Sequence, residues 1–238
     1  MEDLIKKIQE FEKISSALEP NIEKRNLLNQ ELNNFTNQFI EQIDETDTFK
    51  LGNPNKENLE IHSEKTDLES ILKIYQKEVV EYGLNPASGG HIGYIPGGGI
   101  YSSALADYLA DITNEYAGMH FGSPGAVAVE EATLTWMKSL FGFPKSAVGN
   151  LSTGGSIANL IALTAARDKH KIKGEKIANS IIYLSPQAHH CINKAIRIIG
   201  LEDIIIRYVS LDKNFRVDAD LLEKQIEKDI EEGFNPFL

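Results

Sequence analysis

The sequence predicts an α/β protein with a largely parallel sheet, preceded by a helical segment. Three features predict it. Short apolar runs at 179–185 (NSIIYLS) and 203–211 (DIIIRYVSL) alternate with helical patterns over 188–199 and 218–232. Strands that are apolar on both faces and alternate with helices belong to parallel sheets covered on both sides. A serine–glycine turn runs into the alanine-rich helical segment LSTGGSIANLIALTAAR, residues 151–167. The first fifty residues hold few breakers and space their apolar side chains by three and four.

Taken in order, residues 1–50 carry Leu4, Ile5, Ile8, Phe11, Ile14 and Leu18 before Pro20, then Leu27, Leu28, Leu32, Phe35, Phe39 and Ile40 after it. Both sets predict amphipathic helices. Residues 51–66 (LGNPNKENLEIHSEKT) form a polar linker. A third helix is predicted over 67–82, where Leu68, Ile71, Leu72, Tyr75 and Val79 share a face. The segment 1–84 is thus a helical unit, either a solvated hairpin or an arm that embraces a second subunit. A second unit is predicted over 85–238.

The texture changes after residue 85. Nine of the eighteen glycines fall between Gly89 and Gly125, with Gly97-Gly98-Gly99 following Pro96. Such density suits backbone that approaches a ligand or another chain closely. A free surface loop is the plainer alternative, although Tyr94, Ile95 and Pro96 in its middle weigh against it. Helices are predicted at 102–116 and 127–140, the second carrying the only tryptophan, Trp136.

Composition narrows the function classes. A chain of 238 residues, 42% hydrophobic and 25% charged, can build a sizeable core. No apolar run approaches the ~20 residues that cross a bilayer. The opening MEDLIKKIQEFEKISS reads as too charged for a secretory signal. The single cysteine, Cys191, fits a reducing compartment, so a cytoplasmic protein is expected. No metal site is expected. The net charge of −11 argues against nucleic acid as partner. Residues 86–166 hold only five acids and two bases, which predicts a stretch that is buried or faces a partner subunit.

Two places suggest chemistry. Gly154, Gly155 and Ser156 open the helical segment, where unpaired backbone N–H groups lie beside the positive end of the helix dipole. That arrangement holds a phosphate or another anion, although a tight turn with an N-cap gives the same pattern. His189 follows the strand at 179–185, just past its carboxyl end, where α/β sheets bind ligands. An imidazole there could lie flat on an aromatic cofactor and reach a carboxylate with its edge; a surface histidine is the plainer alternative. Asp107 and Asp111, one turn apart, are better explained by a solvated helix face than by metal binding.

Five pieces then stand in one order: Gly93-Tyr94-Ile95-Pro96-Gly97-Gly98-Gly99; Ala104-Leu105-Ala106-Asp107-Tyr108-Leu109; Gly122-Ser123-Pro124-Gly125-Ala126; Ser152 through Asn159; and Ser185-Pro186-Gln187-Ala188-His189. Over about residues 85–238 this resembles the pyridoxal-phosphate-dependent group II decarboxylases, the aromatic amino acid and glutamate decarboxylase family. The resemblance implies the aspartate aminotransferase-like fold, called fold type I, and pyridoxal 5′-phosphate as cofactor. It implies that Gly154, Gly155 and Ser156 hold the cofactor phosphate and that His189 stacks on the pyridine ring as the catalytic histidine. Tyr94 and Pro96 match a segment lining the substrate pocket, which the family completes across a homodimer interface. His190 stands where the family often has a small polar residue. Ile157 departs from the commoner glutamate after the serine.

The chemistry also needs a Schiff-base lysine and an aspartate on the pyridine nitrogen. The family carries these later, in Asp-Ala-Ala and His-Lys contexts. This sequence has no Asp-Ala-Ala, and its lysines, Lys194 among them, are not expected to match the Schiff-base position. The expectation is therefore the N-terminal part of an amino-acid decarboxylase, inactive by itself. Two alternatives stay open: an aldehyde-lyase of the sphingosine-phosphate lyase kind, and a non-catalytic decayed fragment.

Overall fold

The computed structural model describes the backbone of residues 1–238 and all side chains except that of Ala17. The chain divides into two compact units, Met1–Asn114 and Glu115–Leu238.

In the first unit, α1 (Glu2–Ser15) and α2 (Ile22–Glu41) flank Pro20, as the spacing predicts. Asn21 caps α2 by accepting the Lys24 amide at 2.9 Å. The apolar stripe of α1 is exposed, with Phe11, Ile14 and Leu4 all open to solvent. Helix α2 packs on α3 (Leu68–Ile74), and the rings of Phe35 and Tyr75 meet edge-on at 6.1 Å. Asp67 caps α3 through the Ser70 amide.

The helix predicted over 67–82 is regular only as far as Ile74. Residues Tyr75–Val80 wind as a π-helical turn, which has no period that a sequence pattern reveals. This turn carries the buried Glu78, whose carboxylate accepts the Asn55 amide at 2.6 Å and the Asn58 side-chain amide at 2.7 Å. The polar linker is thereby pinned to the helix. Two short strands that the sequence did not signal, β1 (Phe49–Lys50) and β2 (Gly83–Leu84), pair antiparallel, and Lys50 forms an ion pair with Glu81 across them. Helix α4 (Tyr101–Thr113) ends at Asn114, whose φ of 46° is a left-handed cap.

The second unit holds the parallel sheet. Strands β3 (Ser180–Leu184), β4 (Ile205–Tyr208) and β5 (Asn235–Pro236) run parallel in the order β4-β3-β5, with Ile181 opposite Ile205 and Ser180 opposite Asn235. Helices α5 (Pro124–Leu140), α6 (Gly155–His170), α7 (Cys191–Ile198) and α8 (Ala219–Glu231) complete it. Pro124 sits at the first turn of α5, where its missing N–H costs nothing. The central strand is covered over its first three residues: Ser180, Ile181 and Ile182 have no exposed surface. Ile182 packs with Leu163, Ala195, Ile196, Leu201 and Ile204 in one core. The Arg167 guanidinium donates to the Ile199 carbonyl at 2.8 Å, tying the end of α6 to the end of α7.

One polar group lies inside this unit. Asp229 on α8 is fully buried, yet it accepts from Tyr183 Oη at 2.8 Å, Arg207 Nη2 at 3.0 Å and Gln225 Nε2 at 3.1 Å. Burial pushes its carboxyl up, and the three donors outweigh that and hold it below the usual carboxylate range. Burial, and then the neighbouring carboxylate, push the Tyr183 phenol up.

Of the two readings of the weakly charged stretch 86–166, burial by its own chain fails over most of it: only Ser88, Ser123 and Leu163 are buried, α4 and α5 contain no buried residue, and Ile95 is 100% and Trp136 59% exposed. Low charge shows that a surface favours a cover, not that the chain supplies one. Some of the glycines also have a local cause. A Cβ on Gly122 would lie 2.9 Å from the Tyr116 carbonyl, and one on Gly98 would lie 3.3 Å from the Ala87 backbone. Gly93, Gly97, Gly99 and Gly125 have open space beside them. Among the described residues, no helix is long and apolar enough to cross a membrane.

Candidate functional site

The serine–glycine turn folds as a bare helix start. Gly154 is the N-cap of α6 with φ 135°, a conformation that side chains rarely adopt, and no side chain caps the helix. The amides of Ile157 and Ala158 both donate to the Gly154 carbonyl at 3.1 Å. The amides of Gly155 and Ser156 have no partner among the described residues. Gly154, Gly155 and Ser156 are all exposed. A Cβ placed on Gly154 or Gly155 would meet nothing within 4 Å. The turn therefore presents two free donors at the positive end of a 16-residue helix with open space above them. A phosphate group fits such a cradle.

His189 is brought to the same end of α6 through two residues. One turn into that helix, the Asn159 side-chain amide donates to the Gly155 carbonyl at 2.9 Å and contacts Cys191 Sγ at 3.6 Å. The buried Cys191 opens α7, and its backbone amide donates to His189 Nδ1 at 3.2 Å. With Nδ1 accepting, the ring proton of His189 resides on Nε2. His189 itself is exposed, and the ring of His190 lies 4.1 Å from it at 35°.

In the sequence Asn159 stands only as part of a motif, and Cys191 only as a sign of a reducing compartment. Their pairing depends on α6 lying against α7, which no local pattern carries. The turn through α7 that holds His189 begins after β3 ends at Leu184, so the histidine lies past the carboxyl end of the central strand.

Tyr94 and Pro96 belong to the other unit, on the exposed segment before α4. Tyr94 has φ 62°, a left-handed conformation uncommon for a tyrosine, and its side chain is 84% exposed. His120 is exposed, and His91 is part-buried with its Nε2 unpartnered among the described residues.

The one His-Lys pair in the sequence, His170–Lys171, lies at the opposite end of α6. Lys171 is the C-cap of that helix with φ 55°. Sixteen residues at ~1.5 Å each place it ~24 Å from the turn, so it does not serve the phosphate end. The present residues thus fit the phosphate and one ring face of the cofactor. They do not include its lysine anchor.

Comparison with known proteins gives these pieces a common origin. The pyridoxal-dependent decarboxylase conserved domain matches residues 53–238. An aromatic-L-amino-acid decarboxylase of Bacillus atrophaeus is 36% identical over 146 residues, covering 61% of this chain and 30% of the relative. A tyrosine decarboxylase of Papaver somniferum is 29% identical over 183 residues, covering 71% of this chain and 36% of the relative. This chain therefore spans about a third of the length of the curated relatives it matches.

Among solved structures, the 4-hydroxyphenylacetaldehyde synthase of Rhodiola rosea superposes with a TM-score of 0.80 at 21% identity, covering 91% of this chain and 49% of that one. The tryptophan decarboxylase of Catharanthus roseus gives 0.76 at 21% identity, with 91% and 48% covered. These two show the fold, which is fold type I. By its match over most of its length, the chain belongs to the pyridoxal-dependent decarboxylase family.

Proposed function

We propose that this chain carries the phosphate-binding and ring-stacking part of an amino-acid carboxy-lyase. The observation that carries the proposal is the pair of free amides at Gly155 and Ser156, joined to His189 through Asn159 and Cys191. When bound, pyridoxal 5′-phosphate supplies a protonated aromatic ring that can accept the electrons left behind as carbon dioxide departs. The backbone of Gly154, Gly155 and Ser156 binds the phosphate. His189 covers one ring face and turns its Nε2–H toward the substrate carboxylate, acting as the catalytic histidine.

Tyr94 and Pro96 contribute to the substrate pocket, and the open apolar stretch 86–166 is covered by the second subunit of a homodimer, with the segment 1–84 serving as its arm. A single unpaired thiol accords with a cytoplasmic protein. Aromatic amino acids are the first substrates to assay, because the two curated relatives act on aromatic amino acids by their names. Those names also leave the aldehyde-lyase alternative unfavoured.

Pyridoxine 5′-phosphate tests this reading, because it lacks the aldehyde and so cannot label surface lysines. The 238-residue chain is expected to bind it saturably and to lose it to competing inorganic phosphate. Ser156→Asp is expected to weaken binding at least about tenfold, since a carboxylate then competes for the same amides. A carboxylate in the first turn favours the helix itself, so unfolding is not the cause of that loss. No binding, or equal affinity in Ser156→Asp, overturns the assignment.

A further inference from the structure

His190 stands where the resemblance leads one to expect a small polar residue, and the structure gives it a specific contact. It stands at the N-cap of α7, yet its side chain makes no capping hydrogen bond. The first amide of that helix is satisfied by the preceding residue, through Cys191 N–H to His189 Nδ1 at 3.2 Å. The His190 ring instead lies over the His189 ring, with centroids 4.1 Å apart and planes tilted by 35°. At that separation the centroids are closer than the ~4.5–7 Å usual for attracting aromatic pairs, so the two rings touch face to face rather than edge on.

His189 is thus held from two directions. The Cys191 amide fixes its in-plane rotation and tautomer, and Cys191 is itself buried and touched by Asn159. The His190 ring occupies one of its two faces. Only the opposite face and the Nε2–H edge remain for a ligand.

We propose that His190 is a positioning residue: its ring covers one face of the His189 imidazole and so leaves a single face on which the cofactor ring can stack. This rests on the assignment of His189 to the cofactor. With a small polar residue in this position the Cys191 amide alone would hold the imidazole, which would keep more freedom to tilt before binding. Loss of that freedom on binding costs affinity, and a ring held in advance avoids the loss.

The test has two parts, both on the 238-residue chain. Without ligand, the ring protons of His189 in an NMR spectrum are expected to show the ring-current shift of a neighbouring aromatic face, with nitrogen shifts of the Nε2–H tautomer. His190→Ala is expected to remove the ring-current shift and His190→Phe to retain it. In pyridoxine 5′-phosphate titrations, His190→Ala is expected to weaken binding roughly 2- to 10-fold, the span of one aromatic contact, with His190→Phe near the parent. His189→Ala is expected to weaken it at least as much.

If His189→Ala weakens binding while His190→Ala leaves both affinity and ring shifts unchanged, the positioning role is overturned and the cofactor role of His189 stands. If His189→Ala binds as tightly as the parent, the cofactor role falls and the proposal falls with it. His190 is exposed, and unchanged circular dichroism in the variants ties any lost affinity to the ring. The shift in the unsubstituted chain tests the contact without any variant.

Discussion

Within the unit Glu115–Leu238, helix α5 and the β3–α7 region are both rich in apolar residues, yet they end in opposite environments. Helix α5 carries Val127, Val129, Leu134, Trp136 and Leu140 and buries none of its residues. Strand β3 and helix α7 bury Ile181, Ile182, Ala195 and Ile196 almost completely. The difference lies in what surrounds each. Strand β3 has a neighbouring strand on both sides and lies in the same core as residues of α6 and α7, so its own chain supplies the cover. Helix α5 leaves Val129, Trp136 and Leu140 open to solvent. The first region is a completed core, and the second is an apolar face that this chain leaves open.

The sharpest way to break this contrast is to remove the same kind of atom from each region. Ile182→Ala is expected to destabilise the chain by about 2–5 kcal/mol, because it deletes fully buried methyl groups from a packed core. Urea unfolding followed by circular dichroism measures it. A loss below about 0.5 kcal/mol would mean that the core of β3 is no better packed than the surface of α5.

A smaller effect belongs to the buried carboxylate that fastens α8 to the sheet. Asp229→Asn keeps the shape but removes the charge facing Arg207, and is expected to cost about 1.5–3 kcal/mol at neutral pH. The sign with pH follows from its carboxyl being held below the range of an unfolded chain. Above the unfolded value, near 3.9, the folded form gains the full benefit of the charge. As pH falls through the lower folded value that benefit disappears. Thermal midpoints measured from pH 6 down to pH 3 should therefore fall less steeply in Asp229→Asn than in the parent chain. Parallel curves would remove Asp229 as a source of acid sensitivity.

The same contrast explains how far the sequence could be read. Strand β3 was legible because NSIIYLS is continuously apolar and bounded by polar residues, and α6 was legible because an alanine-rich run follows two glycines. Strand β5 was not, since Asn235–Pro236 is two residues long and one is a proline. The π-helical turn at Tyr75–Val80 gave no signal because its extra residue per turn matches neither period that patterning detects. At the site, Gly154, Gly155, Ser156 and His189 were found through the turn and its position after a strand. The bridge through Asn159 and Cys191 was missed because it joins residues 32 apart. The openness of α4 and α5 could not be read either: composition reports how much apolar surface exists, and only the fold reports whether anything lies against it.

The smallest expected effect tests that openness most directly. Trp136 is the only tryptophan, so fluorescence reports one place on α5 without ambiguity. In the dilute 238-residue chain its emission is expected to be that of a solvated indole and to be quenched readily by acrylamide, since the side chain is 59% exposed. Trp136→Ala is then expected to change stability by no more than about 0.5 kcal/mol, as surface substitutions do. A partner would alter both readings together. If a second copy of the chain covers α5, raising the concentration should move the emission to shorter wavelength, protect it from the quencher and make Trp136→Ala costly only in the assembled form. Emission that is already blue and protected at every concentration would mean that α5 is covered within the single chain, and the distinction between completed core and open apolar face would fall.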